Sequence, residues 1–165
     1  LGNYTSRAHD AAGMIGLITC AGGALGAVLT AAGVGDSLGA LAEHYGVAPL
    51  VLGWGLAVLF KVAQGSGTVS MITTAGILAG ILAARVGPGQ SVSEYLGYHP
   101  VYLVMVIGCG SKVGSWMNDS GFWVVCKMSG MTEAETLKSW TAALVLMGVA
   151  GLPLAWALTE LLPLV

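Results

Sequence analysis

Apolar positions along this chain fall in long runs separated by short polar clusters, a pattern different from the alternating faces of a half-buried strand. Ala11 to Gly35, Val62 to Ala84 and Ser139 to Thr159 carry no Asp, Glu, Lys or Arg. A helix needs about 20 apolar residues to cross the hydrocarbon of a bilayer, so these runs predict membrane-spanning helices. The shorter uncharged runs Tyr45 to Phe60 and Tyr95 to Ser111 are marginal for a full crossing.

Five elements follow from this pattern. A transmembrane helix is predicted over 11–33, rich in small residues such as Gly22-xxx-Gly26 that let helices approach closely. Residues 35–46 form an amphipathic stretch with Leu38, Leu41, Ala42 and Tyr45 on one face, which predicts a helix lying in the interface. Over 49–85 two apolar arms, each short for a crossing, flank the polar, glycine-bearing tip Lys61-Val-Ala-Gln-Gly-Ser-Gly-Thr68, the pattern of a re-entrant hairpin. Such backbone is tolerated at membrane depth only where protein or a wet cavity surrounds it. Residues 99–126 predict a broken transmembrane helix that starts at Pro100, is interrupted by Ser111-Lys-Val-Gly-Ser-Trp-Met-Asn-Asp-Ser-Gly121, and resumes from Phe122. The last span is predicted over 139–163, with Pro153 as a kink. Gly87 to Gly97 reads as a turn outside the membrane. Lys127 to Lys138 reads as a solvent loop in which Thr132-Glu-Ala-Glu135 makes a capping box for the helix that follows.

Composition supports an all-α membrane protein. The chain is 56% hydrophobic and 8% charged over 165 residues, where a soluble surface alone carries roughly 25 to 35% charge. Net charge is −2; there is no basic patch, so nucleic acid is not an expected partner. Leu1 is not Met, and the first residues do not form a signal peptide; the chain reads as a fragment. Cys20, Cys109 and Cys126 lack metal or redox spacing and read as small apolar residues. No metal or cofactor is expected. The loop charges Arg7, Lys127 and Lys138 on one side and Arg85 on the other predict orientation by the positive-inside rule.

The candidate chemistry sits at the two breaks, where helix ends expose N–H donors and carbonyls. Gln64, Gly65, Ser66, Gly67 and Thr68 at the first, with Asn118 and Ser120 at the second, offer neutral hydrogen-bonding groups and close backbone approach for a polyhydroxylated molecule. Gly76-xxx-Gly80 and Gly110-xxx-Gly114 read as helix-packing pairs. Lys112 and Asp119 are the ionisable residues of the second break, and an ionisable group inside a membrane is functional by default. Either they pair with each other, or Lys112 attracts a substrate carboxylate while Asp119, its neutral form favoured by desolvation, carries a coupling proton. His99 beside Pro100 reads as a solvated cap, and His9 and His44 have no partner at metal-ligand spacing. Trp54, Trp116, Trp123, Trp140 and Trp156 suit interfacial or packing positions, with Trp116 and Trp123 flanking the break. A nucleophile with its base, which an enzyme would need, is not evident.

Phe60-Lys-Val-Ala-Gln-Gly-Ser-Gly-Thr68, His99-Pro-Val-Tyr-Leu-Val104, Gly108-Cys-Gly-Ser-Lys-Val113, Ser115-Trp-Met-Asn-Asp-Ser-Gly-Phe-Trp123 and Lys127-Met-Ser-Gly-Met-Thr-Glu133, followed by Thr136-Leu-Lys-Ser-Trp140, resemble the gluconate permease family of sugar-acid:proton symporters. The sequence departs from the pattern at Gly67, where a second Ser is expected. The resemblance implies a longer protein of two inverted repeats, this chain being the second, its site completed by the N-terminal half. It further implies a multi-pass protein of the bacterial inner membrane, a homodimer, and a sugar-acid substrate such as gluconate moved with protons. Other readings are a sodium-coupled carboxylate symporter and a non-transporting scaffold subunit.

Overall fold

The computed structural model describes residues 48–164, together with 28, 31–33 and 37. The helices expected over 11–33 and 35–46 lie, save for those few positions, outside the described residues. The described residues form helices without strands. Two of these are long and apolar enough to cross a membrane, Gly67–Arg85 and Glu133–Leu161.

Helix α1 (Pro49–Gln64) opens with Pro in its first turn and closes on Gly65, whose left-handed backbone (φ 76°) returns its N–H to the Lys61 carbonyl. Glycine takes that conformation without the penalty of a Cβ. Ser66 then caps the next helix, α2 (Gly67–Arg85), by accepting the Val69 N–H at 3.3 Å. The interruption is thus two residues, Gly65 and Ser66, narrower than the sequence pattern predicts, because one C-cap and one N-cap suffice to reverse the chain. Capped in this way, α2 reaches 19 residues, the length of a span rather than of a short arm. The Ser70 hydroxyl donates to the Ala57 carbonyl at 2.6 Å, and Gly53 lies under Leu78, so the two helices fold back on each other as a hairpin.

The stretch after Arg85 is not merely a turn: Val92–Leu96 form a short helix, α3, with a Ser91–Glu94 capping box. Helix α4 (Val101–Gly110) follows, started by Pro100. The chain then leaves helical geometry from Ser111 to Asp119, with Gly114 at φ 78°, and resumes as α5 (Ser120–Ser129), capped by the Asp119 side chain. Only Gly130 to Thr132 separate α5 from α6 (Glu133–Leu161). The expected loop over Lys127 to Lys138 is therefore mostly helix. Its Thr132–Glu135 capping box is present and starts α6 four residues before Leu137. Helix α6 contains a π-helical turn at Leu137–Thr141 and continues through Pro153.

Helix α4 is the centre of the packing, between α1 and α6. Leu50 meets Tyr102 and Leu103 in one cluster, Gly53 faces Ile107, and Gly110 faces Trp54 and Ala57. Contacts that advance together along both chains mean that α1 and α4 run the same way, so the two interruptions lie at the same end. Helix α6 runs back along α4: Tyr102 donates to the Leu162 carbonyl at 2.5 Å near one end, while Gly148 and Gly151 sit against Cys109 nearer the other.

Between apolar helices in lipid, close backbone approach replaces the hydrophobic effect as the source of cohesion. A Cβ on Gly148 would stand 2.7 Å from the Cys109 carbonyl oxygen, and one on Gly110 2.6 Å from that of Trp54. Among the described residues nothing lies within 4 Å of a Cβ placed at Gly76 or Gly80, so these helices do not use that pair against each other. Their spacing matches a packing motif, but the phase of α2 turns Thr73, Thr74, Ile77 and Leu78 inward instead.

Candidate functional site

The end at which both interruptions meet holds a cavity of about 380 Å³, lined by Lys61, Ser66, Gly67, Thr68, Ser111, Lys112, Ser115, Asp119, Ser120, Gly121, Trp140, Leu144 and Met147. Its walls come from the hairpin tip, the interrupted stretch after α4, the start of α5 and the π-helical turn of α6. Two helix N-termini open onto it: Ser66, Gly67 and Thr68 begin α2, and Asp119, Ser120 and Gly121 begin α5. The first N–H groups of a helix have no partner within the helix, and with the macrodipole they favour an anion.

The tip and the second interruption are tied together. The Lys61 ammonium lies 2.6 Å from Asp119 Oδ2, with side chains 3% and 14% exposed. It also donates to the Gly65 carbonyl at 2.7 Å. Asp119 further accepts from the Ser115 hydroxyl, and from the Gly121 N–H at 2.9 Å. Asn118 Nδ2 donates to the Val62 carbonyl at 2.8 Å. Gly65 lies so close to Asn118 that a Cβ would stand 2.6 Å from its carbonyl carbon.

Sequence spacing offered Lys112 as the ion partner of Asp119; the fold gives that place to Lys61, 58 residues away. Lys112 is half-buried on the cavity wall, with no carboxylate partner among the described residues. Among the described residues, two ammonium groups against one carboxylate give the cavity lining one formal positive charge.

Of the expected substrate residues, Ser66, Gly67, Thr68, Lys112 and Ser120 line the cavity, and so does Asp119. Gln64, Gly65 and Asn118 do not: Gly65 and Asn118 hold the tip against the second interruption, and the buried Gln64 Oε1 has no partner among the described residues. Lys61, Ser111, Ser115 and Trp140 line it although spacing did not single them out as site residues. For Lys61 a signal existed, since a lysine near the end of an apolar run is costly unless partnered.

Trp116 and Trp123 are exposed and outside the cavity, the Trp123 indole donating to the Met117 carbonyl at 2.7 Å. His99 accepts from the Val101 N–H at 3.2 Å, a cap at the start of α4. Cys109 and Cys126 are free thiols, and the described residues contain no His, Cys, Asp and Glu group that could hold a metal.

Residues 1–162 match the model of the GntP family permeases. A gluconate permease of Pseudomonas aeruginosa is 37% identical over 136 residues, covering 82% of this chain and 28% of the relative. A high-affinity gluconate transporter of Escherichia coli is 32% identical over 150 residues, 91% of this chain and 32% of the relative. The Gnt-II system L-idonate transporter of the same species is 34% identical over 139 residues, 84% and 29% respectively. The chain thus spans about a third or less of the length of these relatives. No solved structure matches it. By the match along almost its whole length, this chain belongs to the GntP family of permeases.

Proposed function

We propose that this chain is the substrate-carrying part of a multi-pass inner-membrane symporter that imports gluconate or a related sugar acid together with protons. The observation that carries the reading is the cavity in which two helix N-termini converge with the ammonium of Lys112, which has no carboxylate partner among the described residues. Lys112 holds the carboxylate, and Ser66, Thr68 and Ser120 with the Gly67 backbone hydrogen-bond the hydroxylated chain. Gln64, Gly65 and Asn118 shape the tip. The relatives named for gluconate and idonate transport support this substrate class. Helices α1 and α2 form a re-entrant hairpin, and α4 and α5 form a broken transmembrane helix. The rest of the protein, including an N-terminal half, completes the site, and the whole works as a homodimer.

Asp119 takes up and releases the coupling proton. Among the described residues its carboxylate is the only acidic group on the cavity wall, and its ion pair with Lys61 joins the two interrupted elements. Protonation would remove the charge on one side of that tie.

The test is uptake of labelled gluconate by the whole transporter in proteoliposomes, with and without a proton gradient. A hydrogen bond to a charged group contributes about 1.5–3 kcal/mol, so Lys112→Met should raise KM roughly 10- to 100-fold. Asp119→Asn should abolish gradient-driven accumulation and leave exchange partly intact. Uptake indifferent to the gradient would refute proton symport, and an unchanged KM in Lys112→Met would refute the carboxylate site.

A further inference from the structure

Three donors hold Asp119, and they differ in what they can do when the carboxyl gains a proton. Its Oδ2 accepts from the Lys61 ammonium at 2.6 Å and from the Ser115 hydroxyl, and its Oδ1 accepts from the Gly121 N–H at 2.9 Å. An ammonium and a backbone N–H only donate, whereas a serine hydroxyl both donates and accepts. Among the described residues Ser115 is therefore the one partner of Asp119 that can serve the charged and the neutral carboxyl alike.

The fold keeps that hydroxyl in place. Ser115 is 1% exposed, so it is shielded from bulk water. Its carbonyl accepts from the Thr141 hydroxyl at 2.5 Å, and Thr141 closes the π-helical turn of α6, an irregularity of a kind that recurs at functional sites. The interruption between α4 and α5 is thereby tied to α6 at the residue that touches the carboxyl. Among the described residues, the other charged groups on the cavity wall are Lys61 from α1 and Lys112 from the second interruption; α2, α5 and α6 bring none.

We infer that Ser115 is the positioning residue of the coupling proton: its hydroxyl donates to the Asp119 carboxylate and turns to accept from Oδ2 once that oxygen is protonated, so that Lys61 alone is released. The inference rests on Asp119 being the proton carrier proposed above. The carboxyl, 14% exposed, takes its proton from water: an O–H bond of a hydronium ion breaks, one forms at Oδ2, and a water molecule is left. Release reverses the step. Without the hydroxyl the neutral acid would bury an O–H with no acceptor, and the carboxylate would lose a charge-assisted hydrogen bond.

The experiment compares gradient-driven accumulation of labelled gluconate with gluconate exchange, each across a range of pH, in proteoliposomes of the whole transporter and its Ser115→Ala, Ser115→Thr and Asp119→Asn variants. Exchange needs no net proton movement, so it separates a role in coupling from a role in the shape of the site. Ser115→Ala should lower accumulation roughly tenfold, the factor that corresponds to one hydrogen bond to a charged group, while exchange falls by less than about twofold. Its pH profile of accumulation should be displaced from that of the wild type. Ser115→Thr keeps the hydroxyl and should restore both accumulation and profile. Accumulation and exchange that fall together under an unmoved profile would mean a structural role and overturn the inference, and so would wild-type accumulation in Ser115→Ala.

Asp119→Asn separates the two levels. If it fails to accumulate gluconate while Ser115→Ala accumulates normally, the Ser115 assignment alone falls; if it accumulates as the wild type does, the proton-carrier reading falls and the inference with it. Should Ser115→Ala fail to reach the membrane, Ser115→Cys serves in its place, since a thiol is only a weak donor and a weak acceptor. The same loss of accumulation would support the inference, and wild-type accumulation would overturn it.

Discussion

Breaking the Lys61–Asp119 pair from either side should cost unequal amounts. Lys61 is 3% exposed and has one other partner among the described residues, the Gly65 carbonyl. Asp119, at 14% exposure, keeps the Ser115 hydroxyl and the Gly121 N–H when the ammonium is removed. Asp119→Asn leaves an uncompensated buried cation, and removing one partner of a buried pair costs about 3–5 kcal/mol. Lys61→Met leaves a carboxylate with two donors and some access to water, which places its cost near that of one charged hydrogen bond, about 2 kcal/mol. The double variant buries neither charge and should cost at least about 2 kcal/mol less than the sum of the singles, within the coupling range for groups in direct contact. Reversible unfolding of the purified whole transporter in mixed detergent micelles gives all three values. Single costs below about 0.5 kcal/mol, or a double that is additive within that margin, would refute the view that this pair holds the two interruptions together.

Gly65→Ala should be destabilising by about 2–4 kcal/mol in the same unfolding assay, because it adds left-handed backbone strain to a clash with the Asn118 carbonyl. Gly148→Val should separate α4 from α6 and sharply lower the melting temperature, since its side chain would meet Val113 and the Cys109 carbonyl; a melting temperature like that of the wild type would refute this packing. Outside the spans, the Ser91 N–H and hydroxyl hold the Glu94 carboxyl below its ordinary range. A depressed folded value means stability that is present above the unfolded value of about 4.3 and lost as pH falls through the folded one. Amide exchange in Val92–Leu96 should therefore quicken in acid, and Glu94→Gln should flatten that dependence.

Much of this architecture can be read from the chain because lipid imposes simple rules. Hydropathy and length pick out α2 and α6, Gly65 and Ser66 carry the chemistry of a C-cap followed by an N-cap, and Thr132 with Glu135 marks the start of α6. Partnership across the fold is another matter. Lys112 is close to Asp119 in sequence, but α1 and α4 run side by side, and that places Lys61 at the carboxylate.

Glycine spacing is similarly silent about phase. Gly76 and Gly80 have the motif but no close neighbour among the described residues, whereas Gly148 and Gly151 make the close contact with α4. The π-helical turn has no distinguishing composition, so periodicity counted at 3.6 residues per turn cannot bring Trp140 to the cavity. Lys61 carried a signal that spacing alone passed over, a charge beside an apolar run that demands a partner.

Whether the sugar acid rests between the starts of α2 and α5 can be measured by substrate protection. With the native cysteines of the whole transporter replaced, Cys20, Cys109 and Cys126 among them, Ser66→Cys, Ser120→Cys and Gly76→Cys versions would each be treated with a water-soluble thiol reagent, with and without gluconate. Gluconate should slow modification at positions 66 and 120, which line the cavity, and leave position 76 unaffected on the outward side of α2. Equal rates at 66 and 120 with and without gluconate, in protein that still transports it, would contradict the site.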